Sequence, residues 1–249
     1  MTLRTLPVMV AAILLLAACG GESNSSPSSG LPQGNEKVAL DPTDFTTEID
    51  NAYWPMSPGS RWVYREVENG DVQRVTVTVT GQTKTIDGIE ARVVHDLVTT
   101  PDGEKVEDTF DWYAQDKDGN LWYLGEDTKE YEDGKVVSRE GSWEHGVDGA
   151  EAGIVVAAEP KQGLTYREEY YEGHAEDAAE VLSVEGKVQT PYGRFGNAMI
   201  TRNFSSIEPN VEELKFYAKG VGPVLVVAIS GGSGREELLR FRQRPTARR

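Results

Sequence analysis

The chain has 249 residues, with 41 Asp and Glu against 25 Lys and Arg and a formal net charge of −16. That acidity argues against nucleic acid and anionic head groups as partners of the folded body. One cysteine excludes an internal disulfide and a cysteine-ligated zinc site, while 38% hydrophobic residues, including five Trp, ten Tyr and six Phe, suffice for a core.

Residues 1–18 read as a signal peptide: Arg4 supplies the positive n-region, and Leu6 to Leu16 form an apolar stretch too short to span a bilayer. It ends in Leu16-Ala17-Ala18-Cys19-Gly20, which resembles the bacterial lipobox. The resemblance implies a diacylglyceryl group on the Cys19 thiol and cleavage just before it. Each buried methylene contributes ~0.8 kcal/mol and one acyl chain holds only marginally, so two chains suit a stable anchor. Cleavage removes Arg4 as its only charge and leaves a body of −17, which an anionic membrane repels. Residues 19–34, rich in Gly, Ser and Pro, read as a flexible tether, followed by an N-terminal extension over 35–54.

The next segment, 55–243, reads as all-β: an antiparallel meander of about 10–14 strands forming a curved sheet, half-barrel or sandwich, with little helix. Val75, Val77 and Val79 alternate with Thr76, Thr78 and Thr80, as a half-buried strand requires. Asn69-Gly70, Asp87-Gly88, Asp102-Gly103, Asp118-Gly119 and Asp133-Gly134 are hairpin signals, because type I′ turns need positive φ at both centres. Glu176 to Glu180 is expected to form one turn of helix. The run Pro223 to Ile229 is apolar throughout, which predicts a strand covered on both faces. Residues 244–249 form a basic tail.

Two units recur in order, about 55–150 and 157–243. Gly81, Thr85 and Gly88 match Gly186, Thr190 and Gly193; Tyr64-Arg65-Glu66 matches Tyr166-Arg167-Glu168; Trp112-Tyr113-Ala114 matches Phe216-Tyr217-Ala218. Such self-similarity predicts a duplicated β unit.

Four constellations bear on chemistry. Asp116-Lys-Asp-Gly-Asn120 opens like a calcium loop, but Leu121 and Thr128 stand where the EF-hand needs Gly and Glu, so a hairpin tip is expected. Glu168 to Asp177 packs five carboxylates, two tyrosines and a histidine together, and Glu169, His174, Glu176 and Asp177 are its candidates for a polar cleft or a calcium site. In Trp143-Glu144-His145, strand geometry turns the His and Glu to opposite faces, so no general-base pair is expected. Phe110, Trp112 and Trp122 are candidates for an apolar concavity.

Asn51-Ala-Tyr-Trp-Pro-Met-Ser-Pro-Gly59, Trp112-Tyr-Ala-Gln-Asp, Tyr166-Arg-Glu-Glu-Tyr-Tyr-Glu-Gly-His-Ala-Glu-Asp177 and Tyr217-Ala-Lys-Gly-Val-Gly222 resemble a family of uncharacterised bacterial envelope lipoproteins. The resemblance spans most of residues 50–240 and implies an envelope location. A weaker resemblance links the chain to the half-barrels of lipoprotein carriers, which pack helices that this sequence lacks.

With no nucleophile elbow, phosphate loop or zinc-helix motif, the expectation is a non-enzymatic binding or scaffolding lipoprotein. It would be anchored to the membrane by its lipid on the extracytoplasmic side, without cofactor, and would meet an envelope protein or a small ligand. A carrier of an apolar ligand and a cation-binding domain are the alternatives.

Overall fold

A computed structural model describes residues 30–244. The expected signal peptide, Cys19 and most of the tether lie outside the described residues, as do Arg248 and Arg249.

The described residues contain no α-helix, one 3-10 turn at Pro42–Asp44 and seventeen strands. These are β1 (Phe45–Thr46), β2 (Arg61–Glu68), β3 (Asp71–Ile86), β4 (Ile89–Thr99), β5 (Lys105–Asp116), β6 (Leu121–Asp127), β7 (Glu130–Glu132), β8 (Lys135–Ser138) and β9 (Trp143–Glu144). They continue with β10 (Glu151–Val156), β11 (Thr165–Arg167), β12 (Glu169–Tyr170), β13 (Asp177–Gln189), β14 (Arg194–Ser205), β15 (Glu212–Ala218), β16 (Gly222–Ser230) and β17 (Arg235–Arg242). Every pairing is antiparallel, and β17 pairs with β2, so the meander curls into a nearly closed barrel. Its seam is the segment 165–170. There β11 bonds to β13, β12 bonds to β10, and Glu168 between them donates its N–H to Asp177 O at 2.7 Å.

The turn dipeptides fix this path. Asn69 and Gly70 have φ of 49° and 96°, Asp87 and Gly88 of 43° and 83°, and Asp133 and Gly134 of 51° and 72°. Each pair links two adjacent strands, so positive φ at both centres turns the chain with the twist a hairpin needs. The expected helical turn at 176–180 does not form. Asp177 onward is strand β13, because its pairing with β14 from Asp177↔Ser205 outweighs a weak helical preference. Strand β16 is covered on both faces over its first half, where the neighbours Val224 and Leu225 are 0% and 6% exposed, and opens to solvent only toward its end, where Ile229 is 49% exposed.

In an antiparallel meander alternate turns fall at opposite ends. One end is closed. There the strap 49–56 crosses between the β5–β6 and β15–β16 turns: Asn51 Nδ2 donates to Gly119 O at 2.9 Å, and Gly220 N to Ala52 O at 2.8 Å. Gln115 Oε1 accepts from the N–H groups of Asp50 and Asn51. Ile49, Tyr53 and Met56 of the strap are buried with Trp62, Val79, Ile86 and Ile89. Upstream of the strap, residues 32–38 are docked on the seam. Arg167 donates through Nη1 to Gly34 O and Glu36 O and through Nη2 to Ala152 O, and Val38 N reaches Glu151 Oε2.

At the seam Gly153 has no room for a side chain: a Cβ there would lie 2.4 Å from the Glu168 backbone. Gly153→Ala should therefore push β10 and the 165–170 segment apart. The expected cost is roughly 3 kcal/mol, a loss of about 10 °C in Tm by circular dichroism. An unchanged Tm would show that the seam is looser than described.

Candidate functional site

Because β2, β4, β5, β15 and β17 all run between the same two ends, their inward side chains form layers. Along β2 they run Trp62, Tyr64, Glu66 from the closed to the open end; β4 gives Val94, Asp96, Val98. Running the opposite way, β5 gives Glu107, Asp111 and Tyr113 from the open end inward, and β15 gives Glu213, Lys215 and Tyr217. The apolar alternation of the deep barrel is thus continued by ionisable residues halfway up.

The result is a lumen of about 290 Å³ lined from all sides, by Asp96, Asp111, Glu168, Glu169, Asp177, Glu236 and Lys215 above Tyr64, Tyr113, Tyr123 and Tyr217. Trp54 of the strap reaches into it, with ring centroids 5.6 Å from Tyr113 and 6.3 Å from Tyr217. These two tyrosines are the ones that match between the two sequence units. Toward the open end the space continues into a mouth of about 520 Å³ whose lining includes Glu66, Glu68, Glu107, Glu130, Glu132 and the exposed Val137 of the β7–β8 hairpin.

The ionisable layer is partly paired. Asn203 Nδ2 donates to Glu168 Oε2 at 2.6 Å, and Lys215 Nζ lies 3.9 Å from that oxygen. Trp143 Nε1 donates to Glu169 Oε2 at 2.6 Å, and Tyr123 Oη donates to Asp111 Oδ1 at 2.8 Å. Asp96 Oδ1 is shut off from solvent and has no partner among the described residues.

Burial is the first cause of the shifts that follow. It lifts the Asp96 carboxyl far above the usual carboxylate range, helped by Asp111, Glu236, Glu107 and Glu66. It lifts Glu236 to about 8, with Glu66 and Glu213 adding and Lys215 opposing. Burial also raises Asp111, Glu126 and Glu169. For Lys215 burial acts the other way, but Glu168, Tyr217, Glu213 and Asp177 outweigh it and hold the ammonium charged.

Of the four acidic-segment candidates, the lumen brings together Glu169 and Asp177, and an outer pocket beside the 165–170 segment is lined by Glu169, Glu176 and Asp177. His174 instead stacks on Tyr171 at 4.6 Å on the exposed turn, with Nδ1 2.9 Å from Glu140 Oε1. Glu176 accepts from Gly173 N and from Ser206 Oγ, which holds its carboxyl below the usual range. Among the described residues no three His, Cys, Asp or Glu side chains converge to hold a metal ion.

Phe110, Trp112 and Trp122 do not line the lumen, since strand alternation turns them away from the face that carries Asp111, Tyr113 and Tyr123. Phe110 stacks on His95 at 4.6 Å, the Lys84 ammonium sits 3.2 Å from the Trp112 ring centroid, and Trp122 packs edge-on to Phe45.

The Asp116 loop is a hairpin tip. Asp116 accepts from Asp118 N, Asn120 N, Asn120 Nδ2 and Trp122 Nε1. His145 is buried beside Glu151 and accepts from Ala152 N; burial, the main influence, lowers its pKa. Sequence reasoning missed Asp96, Asp111, Lys215 and Glu236. Their signal was present as charges in the same alternating phase as Val94, Tyr113, Tyr217 and Leu238.

No family model matches the chain, and no curated protein matches it. Among solved structures it is similar to a candidate lipoprotein from Parabacteroides distasonis, at 11% identity and a TM-score of 0.42, covering 76% of this chain and 98% of that one.

A carboxyl whose folded pKa is raised stabilises the fold below its unfolded pKa and loses that contribution as pH rises through the folded value. For Glu236 the window runs from about 4.5 to about 8. The Tm should fall by about 10 °C from pH 5 to pH 8.5, the response of a domain this size to the ~4 kcal/mol that this window implies. Glu236→Gln should flatten part of that slope. A Tm that rises across this range would contradict the raised carboxyls.

Proposed function

We propose that this chain is a lipid-anchored envelope protein, not an enzyme, and that it binds a small molecule in its barrel lumen. The observation that carries the reading is the lumen itself, a walled cavity near the lower size limit of ligand pockets, with polar groups converging above an apolar floor. Among the described residues that line it there is no Ser, Thr, Cys or His, so no hydroxyl or thiol nucleophile activated by an imidazole stands there, and its carboxyls and Lys215 are read as groups that hold a ligand. The lipobox supports the anchor. So does the charge: a body of −17 would not stay at an anionic surface by itself, and the lipid on Cys19 supplies the hold.

Two outcomes test the two halves of this reading. Metabolic labelling with a fatty-acid analogue should mark the protein, and Cys19→Ala should abolish the label; labelling that persists would refute the anchor. The full chain isolated from its own membranes should carry a small molecule that native mass spectrometry detects. Val226→Trp, which fills the lumen, should carry none while keeping the strand spectrum by circular dichroism. Equal occupancy in both proteins, or none in either, would refute the binding role.

A further inference from the structure

We infer that the occupant of the lumen is a small organic cation, with an ammonium group seated against Asp96 and Glu236 and its apolar part on the tyrosine layer below. This rests on the reading of the lumen as a binding site and names its ligand class.

The argument starts from charge. Six carboxyl groups and one ammonium line the cavity. Lys215, the lone cation, is directed to Glu168, which Asn203 also serves. Glu169 and Asp111 have their own donors in Trp143 and Tyr123. Three carboxyls remain, Asp96, Asp177 and Glu236, and of these Asp96 has an oxygen, Oδ1, that is closed to solvent and unpartnered among the described residues. The charged groups acting on it from the surrounding strands are Asp111 on β5, Glu236 on β17, Glu107 on β5 and Glu66 on β2, carboxyls without exception. Such crowding is relieved in two ways, by protonation while the lumen is empty or by a positive donor that takes the proton's place.

Geometry selects the kind of cation. No three acidic or imidazole side chains among the described residues converge as a metal ion requires. An ammonium on a carbon skeleton has three directed donors and tolerates carboxyls that are spread apart. The skeleton has a place to go: below the acidic layer lie Tyr64, Tyr113 and Tyr217 with Val77 and Val94. The electron-rich ring faces attract a cation as well as apolar carbon. A volume of about 290 Å³ limits the guest to a small molecule. At the mouth, Glu66, Glu68, Glu107, Glu130 and Glu132 draw cations inward and repel anions.

Proton exchange follows. Burial and mutual repulsion favour protonated Asp96 and Glu236 in the empty lumen, with Asp111, Glu66, Glu107 and Glu213 adding to the repulsion and Lys215 opposing it. An incoming ammonium favours the ionised carboxyls, so binding releases protons and strengthens as pH rises toward 8.5.

The test is isothermal titration calorimetry on the full chain in nanodiscs of zwitterionic lipid. The ammonium probes are 2-phenylethylamine, butylamine and putrescine; 2-phenylethanol, phenylacetate and calcium chloride are the comparisons. At least one ammonium probe should bind at least about tenfold more tightly than 2-phenylethanol, and more tightly at pH 8.5 than at pH 6. Asp96→Asn should weaken it by about tenfold or more with the circular dichroism spectrum unchanged; if that variant does not fold, Glu236→Gln serves the same purpose. Binding of 2-phenylethanol or phenylacetate in place of the amines would overturn the cation inference and leave the lumen as a binding site. Calcium binding that depends on Asp96 would replace the organic cation with a metal. Silence from every probe would overturn the cation inference, while the mass spectrum of the natively isolated chain decides the binding role separately.

Discussion

The pairing of β17 with β2 is the constraint on which the rest of the structure depends. It brings the last strand of the meander back to the first long one, from Arg235↔Val67 to Arg242↔Arg61, and so gives the sheet an inside. Once the ring closes, strand alternation decides everything about the interior: every second residue of each long strand must share one confined space. The segment 165–170 completes the ring on the other side by dividing its bonds between two neighbours. It does so only because Gly153 allows the backbones to approach and Arg167 ties three carbonyls together there.

What fills that interior is graded from end to end. The closed end is an ordinary core, capped by the strap whose amides are held by Gln115. Above it the rings of Tyr113, Trp54 and Tyr217 make a floor. Above the floor, carboxyls that water would keep ionised are instead crowded into a low-dielectric space. A protein gains no stability from such a layer unless something meets it, and that makes the layer more informative about function than the aromatic surface outside. The docked residues 32–38 place the start of the described structure on the seam.

Much of the fold was legible in the sequence because turns and alternation are local. Asn69-Gly70, Asp87-Gly88 and Asp133-Gly134 adopt the positive φ that their dipeptides announce, and Val75, Val77 and Val79 are buried as alternation required. The site was legible only in part. Glu169 and Asp177 stood out because they sit in a dense acidic run; Glu176 joins them in an outer pocket rather than in the lumen, and His174 of the same run lies on the exposed turn that Gly173 makes. Phe110, Trp112 and Trp122 drew attention as aromatics, but alternation alone does not say which phase points inward. Asp96, Asp111 and Glu236 are scattered over 140 residues of sequence and meet only after closure, so no local pattern could have assembled them.

The claim at the centre of this account is that closure buries a layer of carboxyls with displaced titration. The direct measurement is carboxyl-selective ¹³C NMR of the full chain across a pH titration, with Glu236→Gln to assign one signal. The account predicts a resonance titrating near 8 that disappears in the variant. If every carboxyl titrates within about one unit of the ordinary value near 4, the layer is open to water and the account is wrong.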